Sequence, residues 1–290
     1  MLSVATILCV GSAIISISVN KKLVQRLSVG HVTNTMFLFA AIFSILIFVA
    51  EPPAPDQTWY IPGIALLGIV NSMVAWLYSR ALKRGLAKSA LFQPASGIVG
   101  ITLSAIFLGE WKLLEPTNTS GLMLILGIIA TTAAAIIFGK GKSESIVIRR
   151  EWLTSIVGFI VLGGVVTVAM KYLAVKHIPL PVYLLSWYTG SYVGSFFPRL
   201  VEKNWQLAIA KKDLLPFIIV SATAMISLAG YFKALELAPA AVVVPLVTIG
   251  IVVGSIGSSI IIFREQKKFG LTEWVGLLIG FVGVLLLTLR

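Results

Sequence analysis

Apolar residues are gathered into ten runs of roughly 20 residues, separated by short polar stretches. An α-helix needs about 20 apolar residues to cross the hydrocarbon core of a bilayer. The pattern therefore predicts an all-α polytopic membrane protein with ten transmembrane helices. The runs are 2–20, 32–50, 59–80, 86–109, 119–138, 152–174, 179–198, 213–236, 238–263 and 272–288.

The composition agrees with this pattern, because 58% of the 290 residues are hydrophobic and only 12% are charged. A soluble domain carries about a quarter charged residues. The first run has no basic stretch before it, which favours a retained helix over a cleaved signal peptide. The single cysteine, Cys9, excludes an intramolecular disulfide and a cysteine metal site, and we expect it to pack as a small apolar residue.

The net charge of +12 comes from the connections between runs. Connections 1–2, 3–4, 5–6, 7–8 and 9–10 hold 18 Lys and Arg, and the opposite side holds five. The positive-inside bias then predicts a cytoplasmic location for the first side and external termini. Short basic loops between apolar runs favour anionic lipid, rather than nucleic acid, as their partner.

Short motifs recur in the same order in the two halves of the chain. The offset between matched motifs drifts from 150 to 155 residues, which needs only small insertions. Eleven residues after Glu110, and again after Glu265, a Gly-Leu pair opens the next helix. The matched motifs are KKLVQR (21–26) with KYLAVK (171–176), YSRAL (78–82) with YFKAL (231–235), and FLGEWK (107–112) with IFREQK (262–267).

These matches predict a first five-helix repeat over 1–140, a polar linker over 141–151 and a second repeat over 152–290. Five is an odd number, so the second copy must enter the membrane from the opposite side. The prediction is an inverted repeat, an arrangement typical of carriers that alternate access around a central site.

Two such halves resemble the EamA-type members of the drug/metabolite transporter (DMT) superfamily. The resemblance implies a ten-helix fold with a central cavity lined mainly by helices 1, 3, 4, 6, 8 and 9. It also implies transport of small metabolites, which in this superfamily include amino acids, nucleotide sugars, phosphorylated sugars, choline and drugs. Members are drawn with both termini in the cytoplasm, whereas the charge count places them outside, so both orientations remain open.

Gln93 and Pro94 lie side by side within the fourth run, and Pro245 lies near the corresponding place in the ninth. Proline removes a backbone hydrogen bond and clashes with the preceding turn. Membrane helices tolerate this where the freed carbonyl faces protein or a wet cavity, and interrupted helices in matching places indicate a transport site. The alternative is that both prolines only kink packed helices.

Aromatic and amide side chains inside the runs complete the candidate set. Trp76, Tyr78, Trp187 and Tyr231 could stack on an amphipathic or cationic solute, and Asn71 could bind it through its amide. Packing between helices is the alternative for each. The predicted substrate-binding residues are Asn71, Trp76, Tyr78, Gln93, Pro94, Trp187, Tyr231 and Pro245.

Acidic residues are missing from the middle of every run, which favours a facilitator or exchanger over a carrier with an embedded carboxylate. Lys171 lies deepest among the cations, and we expect its side chain to extend to the membrane surface. His31 and His177 lie in connections without a catalytic partner. The sequence therefore predicts no catalytic residues, no metal site and no cofactor.

The resulting hypothesis is a multi-pass secondary transporter of the inner (plasma) membrane, working as a monomer or homodimer. It would move a small polar or amphipathic metabolite, such as an amino acid, a choline-like compound or an organic cation, by alternating access. The alternative is a non-transporting membrane scaffold or receptor with a packed midplane.

Overall fold

A computed structural model describes residues 2–54, 58, 60–109, 146–205, 208–265 and 270–288, with 121–123, 126–127, 129–130, 133–134 and 137 between them. The all-α prediction is confirmed for this part of the chain, which contains helices and no strand. The first half has α1 (Leu2–Arg26), α2 (Val29–Ala50), α3 (Ile61–Arg84), α4 (Leu86–Ala90) and α5 (Gln93–Leu108). The described residues between 121 and 137, in the predicted fifth run, are also helical.

The second half has α6 (Ile146–Val175), α7 (Leu180–Gly194), α8 (Phe196–Glu202), α9 (Lys211–Leu237), α10 (Ala240–Ile261) and α11 (Leu271–Thr288). By length and composition, six of the described helices can cross a membrane: α1, α2, α3, α6, α9 and α10. The shorter α5 is also apolar. The chain is therefore a multi-pass membrane protein.

Helix α6 begins inside the predicted linker 141–151, because its first residue is Ile146. Residues 146–151 read IVIRRE, which has neither glycine nor proline to stop a helix. The last six residues of the predicted linker therefore belong to α6, and residues 141–145 lie outside the described part.

The prolines interrupt some helices and not others. Helix α4 ends at Ala90, four residues before Pro94, whose ring would clash with the Ala90 carbonyl in a continuous helix. Pro198 acts similarly at Gly194, where α7 gives way to α8. Pro245 differs, because α10 starts at Ala240 and continues through it. The predicted interruption is thus present at Pro94 and absent at Pro245, which lies early enough in α10 to disturb only its first turns.

The helices of the two halves pack against each other in matched pairs. Helix α1 packs on α9 and α10, and its predicted counterpart α6 packs on α3 and α5. Helix α2 packs on α9 and α7, and α7 packs in turn on α3. The α3–α7 crossing is very close, since a Cβ on Gly190 would collide with the Ala65 carbonyl oxygen. Only glycine permits this approach of two backbones.

Most of the predicted basic connections meet at one end of the bundle, which we call the basic end. Arg26, which ends α1, pairs with Asp213 at the start of α9 through an Nη2–Oδ1 distance of 3.0 Å. Arg84, which ends α3, pairs with Glu151 of α6 at 3.0 Å. The ends of α1 and α3 and the starts of α6 and α9 therefore share this face.

Candidate functional site

A cavity of about 340 Å³ lies between the helices of the two predicted halves. Helices α1, α2, α3 and α5 line it from the first half, and α6, α7, α9 and α10 from the second. Because backbone groups inside a helix bond to one another, the cavity surface is set mainly by side chains. Its volume is in the range of small-molecule sites, about 300–1,000 Å³.

The polar side chains that line the cavity are uncharged amides and hydroxyls. Asn71 of α3 donates from Nδ2 to the Ser191 Oγ on α7 at 3.2 Å, which fixes the plane of its amide. Gln93 is the first residue of α5, just after the break made by Pro94. The lining hydroxyls belong to Ser16, Ser96, Thr167, Ser227 and Thr248.

Aromatic rings from α7 and α9 form a second part of the lining. Trp187 and Tyr188 are consecutive in α7, and Tyr231 lies in α9. Trp187 is held by the ring of Tyr183, with centroids 5.3 Å apart, and Tyr188 by the ring of Phe37, at 6.3 Å. The cavity therefore offers fixed, flat apolar surfaces beside its amides.

Three side chains, which we call the Tyr78 plug, lie between the cavity and the basic end: Gln93, Tyr78 and Phe159. Gln93 Nε2 donates to the Tyr78 hydroxyl at 2.7 Å, and the rings of Tyr78 and Phe159 pack with centroids 4.8 Å apart. Gln93 and Phe159 line the cavity, whereas Tyr78 is buried behind them. Tyr78 packs with Leu82 and Leu86 toward the end of α3. The plug therefore fills the space between the cavity and the end of α3.

A buried ion pair, which we call the Lys21 cluster, lies beyond the plug. Lys21 Nζ, on a residue only 2% exposed, donates to Glu265 Oε1 and to the Leu82 carbonyl, both at 2.7 Å. The Glu265 carboxylate also accepts from Leu86 N–H at 3.1 Å and from Ser259 Oγ at 2.6 Å. Burial alone would raise the pKa of Glu265, but the charge of Lys21 and these hydrogen bonds outweigh it and lower the pKa below 4.5. The cluster ties α1, α3, α4 and α10 together.

Lys171, the counterpart of Lys21 in the predicted repeat, lies at the other end of the bundle. Its ammonium donates to the carbonyls of Leu235 at 2.9 Å and Ala238 at 3.0 Å, at the C-terminus of α9. The expectation that Lys171 extends to the membrane surface is wrong, since the residue is 6% exposed. It stays inside because the last carbonyls of a helix need donors and carry partial negative charge.

The structure divides the eight predicted substrate-binding residues into two groups. Asn71, Gln93, Trp187 and Tyr231 line the cavity. The other four are buried away from its surface: Tyr78 within the plug, Pro94 next to Gln93, Pro245 beside the lining residue Val244, and Trp76 near the basic end.

Trp76 is the residue whose surroundings differ most from the expectation. Its Nε1–H donates to Glu202 Oε1 at 2.9 Å, and the Arg80 guanidinium lies 4.9 Å from the centroid of its ring. Glu202 also accepts from the Gly30 N–H at 2.9 Å. Trp76 thus links α3 to the end of α8 at the basic end, through a contact between residues 126 positions apart that no local pattern reveals.

Sequence reasoning missed several lining residues. Phe159 and Thr167 in α6, and Ser227 in α9, stand among other apolar and small residues and carry no local signal. The predicted repeat could have supplied a signal for Phe159, because Phe159 is 150 positions after Cys9, the same offset that relates Lys171 to Lys21. Both Cys9 and Phe159 line the cavity.

No group of three or more His, Cys, Asp or Glu side chains that could hold a metal ion occurs in the described part of the chain. His177 lies outside the cavity and contacts Glu236 through Nδ1 at 3.2 Å. His31 contacts Arg199 near the start of α2, with Nδ1 2.9 Å from Nη2. The candidate functional site is therefore the cavity with its uncharged polar and aromatic lining.

Comparisons with known proteins agree with the all-helical fold and with a transporter family. The chain is similar to the solved crystal structure of another protein, with a TM-score of 0.62 and 14% sequence identity. The alignment covers 99% of this chain and 97% of the other. At this identity the likeness concerns the fold alone. A search of curated proteins gives no match. Residues 2–135 match the EamA-like transporter family, which is part of the DMT superfamily.

Proposed function

We propose that the chain is a secondary transporter that carries a small polar or amphipathic metabolite by alternating access between two inverted halves. The cavity carries this proposal, because helices of both halves line it and its surface combines amides, hydroxyls and aromatic rings. A pocket at the interface of two repeats is where carriers of this kind bind their substrates. The match to EamA-like transporters over residues 2–135 favours transport over catalysis.

The directions of the helices support the inversion. Helix α1 ends at the basic end, where Arg26 meets Asp213, whereas its counterpart α6 starts there, where Glu151 meets Arg84. The packing of α1 on α9 and α10 corresponds to the packing of α6 on α3 and α5 after exchange of the halves. If the two halves crossed the membrane in the same direction, α1 and α6 would both end on the same face. The observed helix packing and the opposite directions of α1 and α6 would then not occur together. The proposed repeats are 1–140 and 152–290, with 141–145 and the first turns of α6 between them.

The two lysines support the same symmetry at the level of atoms. Lys21 donates to the carbonyl of Leu82 in α3, and Lys171 donates to the carbonyl of Leu235 in α9. The lysines are 150 positions apart and the leucines 153, so equivalent residues form equivalent contacts at opposite ends. A rocking motion would therefore break the Lys21 contact when it opens one end of the bundle, and the Lys171 contact when it opens the other.

Access from the basic end requires the Tyr78 plug and the Lys21 cluster to separate. Both connect helices of different halves, since Phe159 and Glu265 belong to the second half and Tyr78 and Lys21 to the first. Alternate opening of the two ends in this way needs no carboxylate within the membrane. This favours a facilitator or an exchanger over a proton-coupled carrier. We place this activity in the inner (plasma) membrane, in a monomer or homodimer, with the bilayer and a small-molecule substrate as partners and no cofactor.

Uptake and counterflow in proteoliposomes test the proposal. The panel contains amino acids, choline, sugars and organic cations, with empty liposomes as the control. We expect at least one solute to show counterflow. Counterflow occurs only if the substrate-bound carrier moves across the membrane in both directions. Absence of counterflow for every solute, with a well-folded protein, would argue for a scaffold or receptor.

Thiol labelling separates the transporter from the scaffold by a second route. Cys9 lines the cavity, so it is first replaced by serine, and Gln93→Cys and Thr248→Cys then report on the cavity from α5 and α10. A transporter predicts labelling of both thiols by a small water-soluble reagent. A packed midplane predicts protection of both, while a thiol at exposed Lys203 is labelled in either case.

A further inference from the structure

We propose that the cavity takes a substrate without net or local charge, which hydrogen-bonds to Asn71 and Gln93 and lays a flat apolar part against Trp187 and Tyr188. This inference rests on the proposed function, since it names the chemistry of the solute for the same cavity. It narrows the substrate from polar or amphipathic metabolites in general to neutral ones.

The lining carries no charge to balance an ion. The described residues that surround the cavity include no Asp, Glu, Lys, Arg or His. A charged group that leaves water for such surroundings loses its hydration without gaining a counterion, and this cost amounts to several kcal/mol even after relaxation. Amides and hydroxyls, in contrast, replace the hydrogen bonds of a neutral polar group at little cost.

The nearest cations along the lining helices are already engaged. Lys21 follows the lining residue Ile17 by one helical turn, and Lys171 follows Thr167 by the same interval. Each ammonium is held by C-terminal carbonyls, and Lys21 also by Glu265. An anion that recruited either lysine would have to break these contacts first. The flanking charges therefore stabilise the two ends of the bundle and leave the cavity neutral.

The aromatic rings favour a flat neutral partner over an ammonium group. A cation binds best where several ring faces surround it. Trp187 and Phe159 each give one face to a neighbouring ring, those of Tyr183 and Tyr78 at 5.3 and 4.8 Å. Rings that are already packed in this way offer flat apolar surface beside the amides, which suits a planar molecule with a neutral polar group.

A series of three ligands with one ring and different charge tests the inference. The series is phenylacetamide (neutral), 2-phenylethylamine (cation) and phenylacetate (anion), titrated calorimetrically into the full chain in lipid nanodiscs at pH 7. We expect the amide to bind, and both ions to bind at least about tenfold more weakly because each lacks a counterion. Equal or tighter binding of either ion, or failure of the amide to bind, would overturn the inference.

Gln93→Glu provides the sharper test, because it adds one negative charge to the lining without changing its shape. We expect the variant to reverse the order, so that the amine gains roughly tenfold in affinity and overtakes the amide. Asn204→Asp is the matched control: it adds the same charge near the basic end, where Asn204 donates to Ser28 Oγ, and we expect it to leave the order unchanged. An unchanged order in Gln93→Glu would mean that Gln93 does not contact the ligand, which contradicts the inference.

Counterflow of the same three compounds distinguishes the two proposals. If an ion binds more tightly than the amide and is carried, the chain is a transporter and the inference is wrong. If the amide binds and counterflow is absent for it and for every other solute of the panel, the binding chemistry stands and the transport proposal fails.

Discussion

The two ends of the cavity contain two tyrosines that the proposed repeat makes equivalent, in different surroundings. Tyr78 lies near the end of the third run and Tyr231 near the end of the eighth, 153 positions apart. Tyr78 is buried behind the cavity, against Phe159, whereas Tyr231 lines the cavity itself. The proposed repeat makes Cys9 the residue equivalent to Phe159, and its side chain is much smaller, with Sγ 3.6 Å from Ser227 Oγ. A large ring therefore lies against Tyr78, whereas a small side chain stands at the matching position of the first half.

The buried lysines at the two ends also have different partners. At the basic end Lys21 is paired with the carboxylate of Glu265 as well as with a helix C-terminus. At the opposite end Lys171 contacts helix carbonyls. Glu110, the counterpart of Glu265, lies outside the described residues. The two ends therefore differ in the partners of their buried lysines, which are a carboxylate and a helix carbonyl at the basic end and helix carbonyls at the other.

Removal of the Lys21 ammonium gives the largest expected effect. Lys21→Met leaves the Glu265 carboxylate without its cation, and we expect it to lower the free energy of unfolding by about 3 kcal/mol. Lys171→Met leaves helix carbonyls without a donor, which costs about 1 kcal/mol. Urea unfolding in detergent micelles measures both. Equal losses of unfolding free energy in the two variants would contradict the energetic difference between the ends. As a control, the double variant Lys21→Met, Glu265→Gln should recover part of the stability, because it no longer buries an unpaired carboxylate.

Exchange of the unequal side chains at the two ends should change access to the cavity. Phe159→Ala removes the ring that covers Tyr78, so we expect a loss of about 2 kcal/mol in stability and entry of solvent from the basic end. The reporter is an Ala75→Cys thiol in a Cys9→Ser background, labelled by an impermeant reagent applied to each face. Labelling from the basic end should appear only in the Phe159→Ala variant.

Cys9→Phe is the converse change, since it places a ring where the repeat has a small side chain. We expect it to occupy the cavity beside Tyr231 and to slow counterflow by roughly tenfold, as an inserted ring excludes the solute. Cys9→Ser is the control and should retain transport. Unaltered transport in Cys9→Phe would show that this space does not carry the solute.

The Lys21 cluster at the basic end should make the stability of the fold depend on pH. Because the folded pKa of Glu265 lies below its ordinary value of 4.5, the carboxylate stabilises the fold above pH 4.5, and this contribution is lost as the pH falls through the folded value. We expect unfolding midpoints to drop on acidification in this range. The Glu265→Gln variant, measured in parallel, should lack this part of the drop.

The sequence predicts the helices well, because the apolar runs and the break at Pro94 follow from local rules. It predicts the site only in part. Asn71 and Gln93 stand out as amides in apolar runs and do line the cavity. Trp76 stands out equally, yet it packs at the basic end, since its partner Glu202 is brought near only by the fold. Phe159 is indistinguishable in sequence from other apolar residues of α6, although its ring packs against that of Tyr78.

The smallest expected effect concerns the exposed pair at the end of α9. Lys233 Nζ lies 2.7 Å from Glu236 Oε2, but the Lys233 side chain is 46% exposed, so water and salt screen the attraction. We expect Lys233→Met to change the free energy of unfolding by less than about 0.5 kcal/mol, well below the effect of Lys21→Met, in the same urea titration. Both variants remove one cation from a close pair with glutamate. A loss as large as that of Lys21→Met would mean that burial does not set the strength of these pairs, and the contrast between the two ends would then need another cause.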